Sequence, residues 1–169
     1  MRLFLVRHGT AEEKAGRSDP ERALTDDGRS EVAVIAALVA QASEAPLRLL
    51  SSPYLRAEQT AEILREALEF KDKITPTDAL LPDASWAELR ALLQQAEDDG
   101  VHTVVAVGHN PSISQMVARI IAGEVEARVA MAKGAAACLE VDDLQRRPAG
   151  ELKWLLTPRA LQGRKKGKH

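Results

Sequence analysis

The chain has 169 residues and carries 23 Lys+Arg against 25 Asp+Glu, a formal charge of −2, with 45% apolar and 28% charged residues. That balance suits one folded domain and excludes a disordered, collagen-like or general nucleic-acid-binding chain, which would be polar, glycine-periodic or strongly basic. The longest apolar run, Val32 to Ala40, is nine residues, short of the roughly 20 that a membrane-spanning helix needs; with one cysteine, Cys138, and no long apolar leader, the expected setting is the cytoplasm.

Arg2 to Val6 holds Leu3, Phe4, Leu5 and Val6 in an unbroken apolar run, the pattern of a strand buried on both faces. Gly9 ends it. Between Gly28 and Glu44, Val32, Ile35, Ala36 and Val39 recur at helical spacing until Pro46 stops the segment. Leu47 to Leu50 predicts a second short strand, closed by Ser51, Ser52 and Pro53. A second amphipathic helix runs from Arg56 to Glu69, with Ala57, Ala61, Leu64 and Leu68 inward and Glu58, Glu62, Arg65 and Glu66 outward. Lys71 to Asp83 is polar and broken by Pro76 and Pro82, with room for a short strand at Ile74 to Thr77.

Ser85, with Glu88 three residues later, makes a capping box for a helix through Trp86, Leu89, Leu92, Leu93 and Ala96 as far as Gly100. Thr103 to Val107 is a third strong strand. Asn110 then caps a helix with Pro111 at its first position, carrying Ile113, Val117, Ile120 and Ile121 inward until Gly123. Ala135 to Val141 and Leu152 to Leu156 predict two final strands joined by a polar turn from Asp142 to Gly150. Residues 1–162 therefore read as one domain and 163–169 as a basic flexible tail. Strands and helices that alternate, with the strands apolar on both faces, predict an α/β fold around a mainly parallel sheet. Ligands of such sheets bind beyond the carboxyl ends of the strands.

Those ends carry the chemistry. Arg7 and His8 follow the first strand, Arg56 lies just beyond the second, and His109 follows the third strong one. Four positively chargeable donors with few acids among them would repel one another unless an anion bound between them. The arginine fork suits phosphate oxygens, and two histidines can divide the labour: one attacks phosphorus through a neutral ring nitrogen, the other donates to the developing charge. Gly9 admits close approach of backbone and ligand. Asn110 offers either a donor to phosphate or a helix cap, and a helix starting there favours an anion in both cases. His102 and His169 read as structural or surface residues, and a metal hydrolase built on His8 and His109 lacks a third close ligand.

Arg7-His8-Gly9-Thr10, Ser51-Ser52-Pro53-Tyr54-Leu55-Arg56-Ala57-Glu58-Gln59-Thr60-Ala61 and Gly108-His109-Asn110-Pro111, in this order at strand ends, resemble the three motif blocks of the histidine phosphatase superfamily, which includes the phosphoglycerate mutases. Flanking matches at Leu24-Thr25 with Gly28-Arg29 and at Trp154-Leu155-Leu156-Thr157-Pro158 extend the resemblance over nearly the whole chain. With the short length, they are similar to the compact SixA-type phosphohistidine phosphatase branch. The resemblance implies a three-layer α/β/α sandwich. It implies a two-step reaction without metal or cofactor, in which the phosphoryl group passes to His8 and is then hydrolysed by water. Arg7 and Arg56 would hold the phosphate and His109 would stabilise the transferring group, with Gly9, Thr10 and Asn110 as further substrate-binding positions.

Larger members of that family place an inserted subdomain and a proton-donating acid after the second helix. Here Phe70 to Ala84 leaves only 15 residues, so the site is expected to be open and shallow. Asp83 is the nearest candidate acid by position and Glu58 a second, although both read first as ordinary surface carboxylates. The expected partner is a phosphate-bearing substrate, a histidine-phosphorylated protein in the SixA-type reading, with no nucleic acid and no membrane. The alternatives are a phosphatase of small phosphate monoesters using the same residues and a non-enzymatic phosphate-binding module. A protonated His8 cannot attack, so activity is expected to fall on the acid side between about pH 5 and 8.

Overall fold

The computed structural model describes residues 1–124 and 126–163. The basic tail expected at 163–169 lies outside them apart from Gly163. Six strands, β1 (Arg2–Arg7), β2 (Leu47–Ser51), β3 (Thr75–Pro76), β4 (Thr103–Gly108), β5 (Ala136–Val141) and β6 (Gly150–Leu156), form one sheet in the order β3-β2-β4-β1-β5-β6. The first four are mutually parallel, whereas β5 runs antiparallel to β1 and makes a hairpin with β6. The sheet is therefore mainly parallel, as the apolar runs predict.

Alternation along each strand supplies both faces. Leu3 and Leu5 of β1, with Val104 and Ala106 of β4, pack against Leu89 and Leu93 of α3 (Trp86–Asp98) and Ile113, Met116, Val117 and Ile120 of α4 (Ser112–Ala122). Phe4, Val6, Val105 and Val107 face the other way, onto Ile35, Ala36 and Val39 of α1 (Asp26–Ala42) and Ala57, Ala61 and Leu64 of α2 (Leu55–Ala67). Each of the fully buried large side chains stabilises the fold by about 1.5–3 kcal/mol relative to exposure, which fixes three layers, α/β/α. A last turn, α5 (Pro158–Leu161), lies against α1 and has no counterpart in the sequence-based expectation. Among the described residues no helix is long and apolar enough to cross a membrane.

Local chemistry sets the boundaries. Thr25 Oγ accepts from Gly28 N at 3.0 Å, so α1 begins two residues before the predicted Gly28. The expected capping box of Ser85 and Glu88 is present on α3. Asn110, by contrast, does not cap α4. Pro111 takes the N-cap position with helical backbone angles (φ −83°, ψ −13°). The Asn110 side chain is drawn away instead: its Nδ2 donates to the Met131 carbonyl at 3.1 Å and its Oδ1 accepts from Ser114 Oγ at 2.8 Å. The interval from Phe70 to Ala84 holds only β3 and a single turn at Asp78–Leu80, with no inserted subdomain.

Candidate active site

Parallel strands in register bring three motif blocks together. Arg7 of β1 stands level with Gly108 of β4, and Ser51 of β2 with Val107 of β4. One further ladder bond on each side, His8 N to Gly108 O (3.1 Å) and Ser52 N to Val107 O (2.9 Å), carries the register past the strand ends. His8, His109 and Ser52 are thereby placed side by side.

His8 is buried, and its Nδ1 lies 2.7 Å from the Gly9 carbonyl oxygen, which can only accept, so Nδ1 carries the proton. Nε2 is left with its lone pair, and Arg56 Nε donates to it at 3.2 Å. Burial is the largest cause pushing the His8 pKa down to about 4; Arg56, Arg7 and Lys133 add to it, and the Gly9 bond opposes it. His109 is 1% exposed, and burial, then His8 and Arg56, push its pKa down to about 3. The two rings, 5.0 Å apart between centroids, are both neutral near pH 7. His109 Nε2 pairs with Ser52 Oγ at 2.7 Å, and the Tyr54 ring meets the His109 ring edge-on at 5.0 Å.

Arg56, on the first turn of α2, is 4% exposed and lies over the Tyr54 ring. Its Nη1 donates to the Asp19 carbonyl at 2.7 Å and its Nη2 to Asp19 Oδ2 at 3.1 Å. Arg7 Nη1 donates to the Met131 carbonyl at 2.8 Å. Arg7 Nε and His109 Nδ1 are buried with no hydrogen-bond partner among the described residues. An arginine pair with spare donors around an imidazole lone pair is built to hold an oxyanion against a nitrogen nucleophile.

Other expected positions resolve differently. Gly9 donates to Thr60 Oγ at 3.2 Å. A Cβ at Gly9 would sit 2.7 Å from the Gly28 carbonyl oxygen and 2.8 Å from Val32 Cγ2, so the close approach this glycine permits is to α1. Thr10 donates its amide and its hydroxyl to the Glu31 carboxylate, at 3.2 and 2.9 Å. Asp83 and Glu58 are exposed, and neither makes a hydrogen bond or ion pair with these side chains. Glu58 follows Arg56 by two residues, about 200° around the helix, and faces Ile74 and Pro76 at the sheet edge.

The sequence reading missed Asp19, which sits on a 3₁₀ turn at Asp19–Glu21, and the supporting hydroxyls of Ser52 and Thr60. Few acids were expected among the four donors, and Asp19 corrects that: its side chain bridges Arg56 and Arg22. Ser52 and Thr60 were legible as members of the second motif block, whereas Asp19 sits in a polar stretch without periodicity. Among the described residues no three His, Cys, Asp or Glu side chains converge as a metal site.

Fold and cluster together define an α/β protein with an anion-holding arginine–histidine site at the carboxyl ends of parallel strands. Comparison with known proteins makes this specific. The histidine phosphatase superfamily (branch 1) matches residues 3–88. The chain is 33% identical over 124 residues to phosphohistidine phosphatase SixA of Escherichia coli K12, covering 73% of this chain and 76% of that one. It is 30% identical over 130 residues to a SixA homolog of Haemophilus influenzae, covering 71% and 77%. The solved structure of the protein histidine phosphatase SixA complexed with tungstate superimposes with a TM-score of 0.82 at 31% identity, covering 94% of this chain and 97% of that one. The chain belongs to the histidine phosphatase superfamily, branch 1.

Proposed function

We propose that the chain is a phosphohistidine phosphatase that works through a covalent phosphohistidine on His8. The observation that carries the mechanism is the state of the His8 ring: neutral, protonated on Nδ1 by its bond to Gly9, with the Nε2 lone pair against Arg56. The identity and coverage shared with the SixA proteins support the same reading.

A phosphoryl oxygen takes over the Arg56 Nε–H, which frees the Nε2 lone pair to attack phosphorus in line with the leaving group. The new N–P bond forms as the substrate bond breaks, and its electron pair leaves with the departing atom. Arg7 supplies a further donor through its buried Nε–H, which has no hydrogen-bond partner among the described residues. The incoming negative charge works against the burial and the Arg56 charge that keep His109 neutral, so His109 takes a proton from solvent water and donates it as a hydrogen bond to the transferring group. Water then attacks phosphorus, phosphate departs, and the lone pair returns to His8 Nε2. Both steps use only side chains of this chain and water.

The finer parts of the proposal are a histidine-phosphorylated protein as substrate and a cytoplasmic setting. With only β3 and one turn between α2 and α3, no inserted element of the chain stands over the site there to bar a protein-borne phosphohistidine. Phosphate release from a phosphohistidine peptide and from p-nitrophenyl phosphate, in excess EDTA, tests this. Release from both is expected, with the higher kcat/KM on the peptide. Release from the aryl ester alone would favour a small-molecule phosphatase, and none from either would favour a binding module.

A further inference from the structure

Asp83 and Glu58 make no hydrogen bond or ion pair with Arg7, His8, Arg56 or His109, whereas the Asp19 carboxylate is bonded to Arg56. The Nε–H and Nη2–H of an arginine project in parallel from one edge of the guanidinium, the edge that takes two oxyanion oxygens at once. In Arg56 that edge holds His8 Nε2 at 3.2 Å and Asp19 Oδ2 at 3.1 Å, which puts the carboxylate beside the nucleophile. Asp19 has two anchors that do not use this edge: Oδ1 accepts from Arg22 Nη1 at 2.9 Å, and its backbone carbonyl accepts from Arg56 Nη1 at 2.7 Å. Its side chain is 33% exposed against 5% for Arg56, so solvent reaches the Asp19 side chain far more than it reaches the guanidinium.

We propose that Asp19 is the leaving-group residue. When phosphoryl oxygens occupy the Nε and Nη2 edge of Arg56, Asp19 Oδ2 is released and accepts a hydrogen bond from the ring N–H of the departing imidazole. This rests on the phosphohistidine phosphatase reading and supplies its specificity. His8 Nε2 bonds to phosphorus as the substrate N–P bond breaks, and the electron pair stays on the departing ring nitrogen. A ring that already carries a proton on its other nitrogen leaves as neutral imidazole, so no acid has to deliver a proton to the departing atom. The group that helps is an anion holding that other proton in place. An alkoxide leaving group needs the opposite, a protonated acid.

The charged groups facing Asp19 are Arg22 of its own turn, Arg56 of α2 and His109 beyond β4, while Glu21 of the same turn is engaged by Ser18. Arg22 and Arg56 hold the Asp19 carboxyl below the usual carboxylate range, and His109 is neutral near pH 7. Asp19 is therefore ionised wherever the enzyme works.

The test compares wild type, Asp19→Asn and Asp19→Glu on a phosphohistidine peptide and on p-nitrophenyl phosphate, whose phenolate leaves without a proton. Asp19→Asn is expected to lower kcat/KM on the peptide about tenfold or more, the loss of one charge-assisted hydrogen bond, and to move the alkaline limb of its kcat profile to lower pH. The aryl phosphate is expected to lose clearly less than the peptide does, because Arg56 Nη1 keeps the Asp19 backbone carbonyl while the phenolate needs no partner for a ring proton. Asp19→Glu, which retains the charge, should recover part of the peptide activity and its alkaline limb. Parallel losses on both substrates would reduce Asp19 to positioning Arg56, and unchanged kinetics on both would remove it from the reaction; either overturns the proposal. A wild-type enzyme inactive on the peptide would instead sink the phosphatase reading on which the proposal rests.

Discussion

A histidine is useful as a nucleophile only while one ring nitrogen keeps its lone pair, and His8 is held in that state by two bonds. The Gly9 carbonyl fixes the proton on Nδ1 and Arg56 Nε faces Nε2. With its pKa pushed down to about 4 by burial and by neighbouring cations, His8 stays unprotonated well below the ordinary histidine range. The acid limb of kcat/KM on p-nitrophenyl phosphate that belongs to the free enzyme is therefore expected near pH 4. This lies below the window of about pH 5 to 8 that an unperturbed histidine suggests. A steady-state profile with its enzyme limb near pH 6.5 would contradict the buried, cation-flanked His8. The convergence of His8, Arg56 and His109 was legible because their types and their places after apolar runs are both visible in one dimension. Asp19 was not, since its approach to Arg56 depends on how a polar stretch folds back.

The loop carrying Gly9 and Thr10 is held by α1 and α2. Thr60 of α2 receives the Gly9 amide, Glu31 of α1 receives Thr10, and Thr25 N donates to the Thr10 carbonyl at 3.0 Å. The fit is closest at Gly28, where an added Cβ would lie 2.1 Å from the Thr10 carbonyl oxygen. Backbone cannot yield as a flexible side chain can. Gly28→Ala is therefore expected to cost about 2 kcal/mol or more of stability and to lower activity by moving the loop behind His8. Chemical denaturation and kcat/KM read the two effects, and a wild-type midpoint would contradict the contact. Helix positions were readable from apolar spacing, but the start of α4 was not. The Asn110-Pro111 signature for a cap was outcompeted by the Met131 carbonyl, a partner 21 residues away.

Across the whole molecule, the parallel core strands β2, β4 and β1 deliver the site, and the β5–β6 hairpin closes the sheet beside β1. Continuous apolar runs revealed that strands exist and are buried; that β5 turns antiparallel depends on which edge it meets, which local composition does not encode. Housing two neutral histidines also ties stability to pH. Both His8 and His109 are harder to protonate in the folded chain than in the unfolded one, whose histidines titrate near pH 6.5. Above about pH 6.5 neither state takes up these protons. Between there and about pH 4 the unfolded chain gains protons that the folded chain refuses, so stability falls as pH falls. Thermal unfolding should show this decline, and His109→Gln should make it shallower; equal slopes for variant and wild type would contradict it.

Whether His8 Nε2 takes the phosphoryl group is read by rapid mixing with a phosphohistidine peptide bearing a labelled phosphoryl group. An alkaline quench within the first turnover is followed by locating the label on the chain. Label is expected on His8 before free phosphate appears, and both label and turnover are expected to be absent from His8→Ala. Full turnover with no label on the chain, or normal turnover by His8→Ala, would contradict transfer to His8 Nε2.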